Sequence, residues 1–278
     1  MNTEKNQIKP MITMEQMKQL FTKSETKIYQ YISSYAENVL YHSLTELSDA
    51  CNVGEATVLR FFRKLNFKGF QDFKFALAQE LSSKSDIDES GTYIEKVRNH
   101  MIQAIKDSYE LMDQRSLQSA VKIIARATDV VIFGIGSSGI AALDMENRLL
   151  RIGKHIQAIT DPHTQVMRSS SMTAQTLVIA ISVTGSSKDI VDSVQIAKEQ
   201  GATIIALTNY SKSPLTQLAD YTLLTSAKEN PLDSGSLVTK VAQLYAIDLL
   251  CTGIILENYE QANRVKLQIS ENIAKKLY

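Results

Sequence analysis

Apolar positions along this chain follow two rhythms. Up to about residue 80 the pattern is helical throughout. Beyond about residue 128, short apolar runs alternate with helix-like runs. The runs Val130–Phe133, His155–Ile159, Thr176–Ser182, Thr203–Thr208 and Tyr221–Thr225 predict strands. Helices near 138–152, 163–171, 187–200 and 213–219 separate them, and a last helix covers about 236–257. Strands and helices alternating at this spacing predict a parallel sheet covered on both faces. Amphipathic segments near 93–113 and 115–127 precede the first strand. The stretch "LSSKSDIDESGT" (81–92) is polar, Ser-rich and poor in bulky apolar residues, which predicts a linker. The expected organisation is an all-α domain over 1–80, a linker over 81–92 and an α/β domain over 93–278.

Within the first domain, "SLTELSDACNVGEATVLRFFRKLNFKGF" (43–70) has the shape of a helix-turn-helix. Ser43 with Glu46 makes a capping box, so a helix starts there and runs to about Cys51. Asn52 sits where the chain must turn and tolerates the left-handed conformation. Gly54 then caps a helix from Glu55 to about Leu65. At about 100° per residue, Val58, Phe61, Phe62 and Leu65 gather on one side. Ala56, Thr57, Arg60, Arg63 and Lys64 occupy the other. Leu47, Cys51, Val53, Val58 and Phe61 fall where a tightly turned helix pair needs its internal contacts.

The polar side suits a major groove, with its N-terminal part near base edges. The candidate double-stranded DNA contacts are Glu55, Ala56, Thr57, Arg60, Arg63, Lys64 and Lys68. Lys74 is a further candidate for phosphate contact. Two packed helices with a solvated basic face would show the same pattern. The local charge favours DNA: five basic residues lie between 55 and 74 against Glu55 and Asp72. Phenylalanines 61, 62, 67, 70, 73 and 75 are expected in the core, Cys51 is expected to be packed, and His42 to be structural.

The first predicted strand of the second domain ends in "FGIGSSG" (133–139), which fits G-x-G-x-x-G through Gly134, Gly136 and Gly139. Asp161 lies near the end of the second strand, where a dinucleotide fold places its ribose-binding acid. Two features point elsewhere. Residues 137 and 138 are both serine, adding hydroxyls to the backbone N–H groups. A second turn of the same chemistry, "SVTGSSKD" (182–189), follows the third strand and carries Ser182, Thr184, Ser186 and Ser187 around Gly185. Helix starts attract anions through unpaired N–H groups and the macrodipole. Two such turns side by side suit one compact phosphate on a small polar molecule, with Lys188 adding charge. Simple helix capping by Ser and Gly is the plainer alternative.

Composition narrows the field. At 278 residues the chain exceeds one average domain. Its formal net charge is zero, so a nucleic-acid site must be a local patch. Cys51 and Cys251 form no C-x-x-C, which argues for a reducing compartment and against a zinc site. The polar N-terminus lacks a signal-peptide core, and no run approaches a transmembrane span. The expectation is a cytoplasmic protein with no membrane contact, no metal and no cofactor.

Taken together these residues resemble the RpiR-type bacterial transcription regulators, which join an N-terminal helix-turn-helix domain to a C-terminal SIS (sugar isomerase) domain. "EATVLRFFRKLNFKGFQDFK" resembles the recognition helix and the segment after it. "GIGSSG", "ISVTGSSKDIVD", "ALTN", "SPL", "DYTLLT" and "SGSLVTKVAQLYAIDLL" resemble successive SIS motifs, in order over nearly the whole chain. The resemblance implies a three-layer αβα sandwich with a five-stranded parallel sheet that binds phosphosugars and commonly dimerises. By motif matching, Ser138, Ser182, Thr184 and Ser187 would hold the sugar phosphate, with Ser137 assisting. Gly136 and Gly185 would let the backbone approach. Two departures stand out. The family's second turn more often reads Ser-x-Ser-Gly-x-Thr, and its closing helix more often carries Arg where this chain has Lys240.

The implied function is a transcriptional regulator of carbohydrate metabolism, acting as a homodimer or homotetramer. It is expected to sense a sugar phosphate and not to act as an enzyme. An aldose–ketose isomerase would need a base beside the sugar carbons. His163 is the best candidate, while Glu146 is expected at the surface and Glu229 lies before the closing helix. A dinucleotide-binding redox sensor using the three glycines and Asp161 is the other alternative.

Overall fold

The structure, a computed structural model, describes residues 9–82, 92–226 and 237–276. Among these, the chain divides into one unit ending at Lys96 and another from Val97 onward.

The first unit is helical: α1 (Pro10–Met17), a 3-10 turn at Lys18–Leu20, α2 (Lys23–Ser34), α3 (Ala36–Val39), α4 (Leu44–Ala50), α5 (Glu55–Lys64) and α6 (Phe70–Ser82). Ser43 opens α4 as expected. Its Oγ accepts the Glu46 N–H at 3.0 Å, and Glu46 Oε2 accepts the Ser43 N–H at 2.9 Å. Asn52 turns the chain at a φ of 51°. Met14, Ile28, Ile32, Leu47, Val58, Phe61 and Phe62 fill one core. There Phe62 stacks on Phe73 with ring centroids 4.4 Å apart. Phe75 corrects the expectation of six buried phenylalanines. It is 46% exposed, because two residues past Phe73 the helix has turned to its outer side. α6 runs through Ser82 and so takes the first residues of the expected linker. The part at 83–91 lies outside the described residues.

The second unit takes in α7 (Tyr93–Leu111) from Val97 onward, then α8 (Gln114–Arg126), β1 (Asp129–Phe133), α9 (Ser137–Leu150), β2 (Gln157–Ile159) and α10 (Pro162–Ser169). It continues with β3 (Thr176–Ile181), α11 (Lys188–Glu199), β4 (Thr203–Thr208), α12 (Pro214–Leu218), β5 (Tyr221–Leu224), α13 (Leu237–Glu257) and α14 (Tyr259–Ala274). The five strands are parallel in the order β2-β1-β3-β4-β5. Alternate side chains supply the two cores. Val130 and Ile132 pack with Ala141, Met145 and Leu149 of α9, with Ile124 of α8 and with Ile247 and Leu250 of α13. Val131 and Phe133 pack with Ile190 and Val194 of α11 and Leu215 of α12. The result is a three-layer αβα sandwich.

Three elements differ from expectation. β2 begins at Gln157, two residues later than predicted. α14 follows the helix expected to be last; among its residues only Ala262 is buried. α13 spans 21 residues and holds an 18-residue window with a mean hydropathy of 1.4, long and apolar enough to cross a membrane, contrary to the expectation that no run approaches a transmembrane span. Its apolar residues Ala246, Ile247, Leu250, Cys251 and Ile254 are instead spent in the core beside the sheet.

Candidate functional site

The first turn leaves β1 at Phe133 and enters α9 at Ser137. Gly136 adopts a φ of 58°, open to glycine and costly for other residues. A side chain at Gly134 would put its Cβ 2.5 Å from the Ser138 carbonyl oxygen, and one at Gly139 would meet Thr160 at 3.0 Å. The glycines of the G-x-G-x-x-G pattern thus serve a tight strand-to-helix turn. Ser137 is exposed and Ser138 is buried. Among the described residues no side chain caps α9, so its first N–H groups face the turn.

The second turn leaves β3 at Ile181 and enters α11 at Lys188. The Ser182 N–H donates to the Leu207 carbonyl at 3.0 Å, which fixes the start of the turn against β4. Gly185 has a φ of 60°, and a Cβ there would lie 2.2 Å from Ser213 Oγ. Thr184 Oγ1 accepts the Ser186 N–H at 3.2 Å. Ser187 is exposed, precedes α11 and makes no side-chain cap, so among the described residues these N–H groups have no side-chain cap either. Lys188 is exposed and paired with Asp192, whose carboxylate raises its pKa. Its charge is therefore partly engaged.

Sheet order brings the turns together. β1 pairs with β3 in parallel, with Phe133 opposite Ala180. Both turns leave the carboxyl edge of adjacent strands. α9 departs over one face of the sheet and α11 over the other. In doubly wound sheets of order 2-1-3-4-5 this reversal opens the ligand crevice. Two cavities lie elsewhere. One of about 340 Å³, lined by Arg126, Lys154, His155 and Asn258, sits at the amino ends of β1 and β2. The other, of about 510 Å³, lies between α9 and α14. Neither includes a residue of the two turns.

Several candidates have other duties. Asp161 caps α10, its Oδ1 accepting the Thr164 N–H at 2.8 Å, and that bond lowers its pKa. It is not poised for a ribose. Glu146 is half-buried rather than at the surface, and accepts the Ala158 N–H of edge strand β2 at 3.0 Å. His163 is exposed and Lys240 half-buried. Glu229 lies outside the described residues. Burial raises the thiols of Cys51 to about 11 and Cys251 to about 12, so neither is a ready nucleophile.

On α5, Ala56, Arg60, Arg63 and the following Lys68 are exposed, and Thr57 is half-buried. Arg60 donates to Thr57 Oγ1 at 3.2 Å across one turn. Two candidates are tied to other parts of the domain, Glu55 half-buried and Lys64 at the surface. Glu55 accepts from Thr45 Oγ1 at 2.5 Å, tying α5 to α4. Lys64 donates to the Leu20 carbonyl and to Glu25 Oε2, each at 2.8 Å. Lys74 corrects its expected phosphate contact. It is buried, its Nζ donates to the His42 carbonyl at 3.0 Å, and desolvation drops its pKa to about 8. His42 is structural as expected, its Nε2 lying 2.9 Å from the Tyr31 hydroxyl.

Sequence reasoning missed two glutamines beside the first turn. Gln165, on α10, donates to the Ile159 carbonyl at 2.7 Å. Gln243, on α13, donates to Ser138 Oγ at 3.0 Å. No local motif marks either, because their partners are fixed only by the tertiary fold.

Comparison with known proteins agrees with the fold of both units. Residues 8–84 match the helix-turn-helix domain of the rpiR family, and residues 123–253 match the SIS domain. An HTH-type transcriptional regulator of Clostridium perfringens is 35% identical over 91% of this chain and 94% of its own length. The regulator YbbH of Bacillus subtilis is 34% identical over 89% of this chain and 90% of its own. The structure of the Vibrio vulnificus NanR protein complexed with ManNAc-6P superposes with a TM-score of 0.88 at 27% identity, over 96% of this chain and 99% of that one. The sugar isomerase domain of an RpiR transcription factor from Sphaerobacter thermophilus shares the fold, with a TM-score of 0.60 at 23% identity over 65% of this chain and 99% of that domain. The chain belongs to the rpiR family of HTH-type transcriptional regulators, with a SIS domain as its C-terminal part.

Proposed function

We propose that this regulator binds operator DNA through the outer face of α5 and holds a sugar phosphate across the two turns, as a ligand rather than a substrate. The observation that carries the effector reading is the pairing of β1 with β3, which sets the two uncapped, hydroxyl-bearing helix starts side by side. Ser137, Ser138, Ser182, Thr184 and Ser187 supply hydroxyls there, and Gly185 lets the backbone close in. The NanR structure, which contains ManNAc-6P, supports a phosphosugar as the class. The strand order and the capping role of Asp161 weigh against a dinucleotide. His163 as an exposed side chain offers no protected base for turnover.

For DNA, Ala56 and Thr57 stand nearest base edges, and Arg60, Arg63 and Lys68 supply phosphate contacts. A two-fold dimer would present two such helices to a two-fold operator. Thermal unfolding against a panel of sugar phosphates and nicotinamide dinucleotides tests the effector reading. A ligand at 100 times its Kd adds about 2.7 kcal/mol to native stability. A shift with a phosphosugar that disappears in Ser138→Ala/Ser182→Ala supports it. A shift with the dinucleotides alone refutes it.

A further inference from the structure

Gln243 is 1% exposed in α13, and its Oε1 has no hydrogen-bond partner among the described residues. Its Nε2 donates to Ser138 Oγ at 3.0 Å. An amide nitrogen only donates, whereas a hydroxyl has one proton and two acceptor positions. The bond therefore occupies an acceptor position on Ser138 and leaves the Ser138 proton unspent. The unprotonated oxygens of a phosphate only accept, so contact with them needs that proton. The opposite amide orientation would place Oε1 on Ser138 and consume it. The buried, unmatched Oε1 is the cost of the orientation that keeps Ser138 a donor.

We propose that Gln243 is a positioning residue for the first turn, holding the Ser138 hydroxyl so that its proton is directed at the bound phosphate. The assignment rests on the phosphosugar reading of the two turns. It names a residue of the closing helix, 105 positions from the serine it orients, as part of the effector site.

The test is titration calorimetry of the full-length protein with inorganic phosphate and with ManNAc-6P. The proteins compared are the wild type, Ser138→Ala, Gln243→Met, Gln243→Glu and Ser138→Ala/Gln243→Met. Ser138→Ala should weaken binding by about tenfold or more, as loss of a hydrogen bond to a charged group does. Gln243→Met, which fills the same space without a donor, should weaken it by about three- to tenfold. Gln243→Glu should be worse than Gln243→Met, since its carboxylate takes the serine proton. In the double variant the loss should equal that of Ser138→Ala alone, because Gln243 acts through that hydroxyl. Losses that multiply would overturn the assignment, as would a Gln243→Met protein of wild-type affinity beside a weakened Ser138→Ala. Should the Glu variant fail to fold, the Met cycle decides alone. A wild type that binds neither probe nor any member of the sugar-phosphate panel removes the phosphosugar reading itself, an outcome distinct from unaffected Gln243 variants.

Discussion

Lys64 Nζ lies 2.8 Å from Glu25 Oε2, joining the last turn of α5 to the first turn of α2. Burial pushes the Glu25 carboxyl up, but the Lys64 ammonium and the Thr22 cap outweigh it and leave its pKa lowered. A carboxyl held below its ordinary value adds stability at neutral pH, and this is lost as pH falls through the folded pKa. Lys64→Ala is expected to cost about 1 kcal/mol at neutral pH and to flatten the acid limb of the stability curve. Urea unfolding between neutral and acid pH checks both. An Ala variant as acid-sensitive as the wild type would sink the assignment.

The buried Lys74 acts at the other end of the pH scale. Its pKa falls from the usual 10.5 to about 8, chiefly through desolvation. Between those values the unfolded chain keeps a proton that the folded one has shed, so stability rises with pH across the window. The gain is about 3 kcal/mol at the upper bound. The observable is the difference between wild type and Lys74→Met in urea unfolding from pH 7 to 10, because the two buried thiols oppose the trend at high pH. Parallel curves would mean that Lys74 is solvated.

Glycines of the two turns are expected to separate strain from collision. Gly136 has positive φ with open space around the missing Cβ, so Gly136→Ala should cost about 1 kcal/mol. Gly185 combines positive φ with Ser213 Oγ at 2.2 Å from that position, so Gly185→Ala should cost about 3 kcal/mol. Thermal unfolding of the two variants ranks them. Equal losses would contradict the packing around Gly185.

On DNA, Arg60→Ala and Arg63→Ala should each weaken operator binding and reduce the slope of log K against log salt by about 0.9. Lys64→Ala should change that slope less, since its ammonium faces Glu25. Fluorescence anisotropy at several salt concentrations measures this. An unchanged slope in the Arg60 variant would place DNA on another face. Effector and operator must also alter each other's affinity by the same factor. Equal phosphosugar affinity with and without operator would show that the two sites are not coupled.

What the sequence shows and what it hides follow from how local each feature is. The capping box at Ser43, the left-handed Asn52 and the two Gly–Ser turns depend on neighbours within a few residues, and the structure has them where the pattern put them. The fate of Lys74 depends on which side of α6 faces the core and on a carbonyl 32 residues away. Counted as one more basic residue near α5, it looked available. α14 buries only Ala262, so core packing hardly marks its place beyond the closing helix. Gln243 and Gln165 have no signature at all, because buried amides become meaningful only when their partners are in place.

The neighbouring placement of β1 and β3 also governs when the site can exist. The strands are adjacent in space, but β2 and two helices come between them along the chain, and parallel pairing requires such a crossover. Such long-range contacts are slow to form, because the intervening chain must close before they are made. Neither turn alone brings together the full set of donors. On the proposed reading, a ligand spanning both would bind only chains that have completed the central sheet, so its binding would report finished folding as well as metabolite supply.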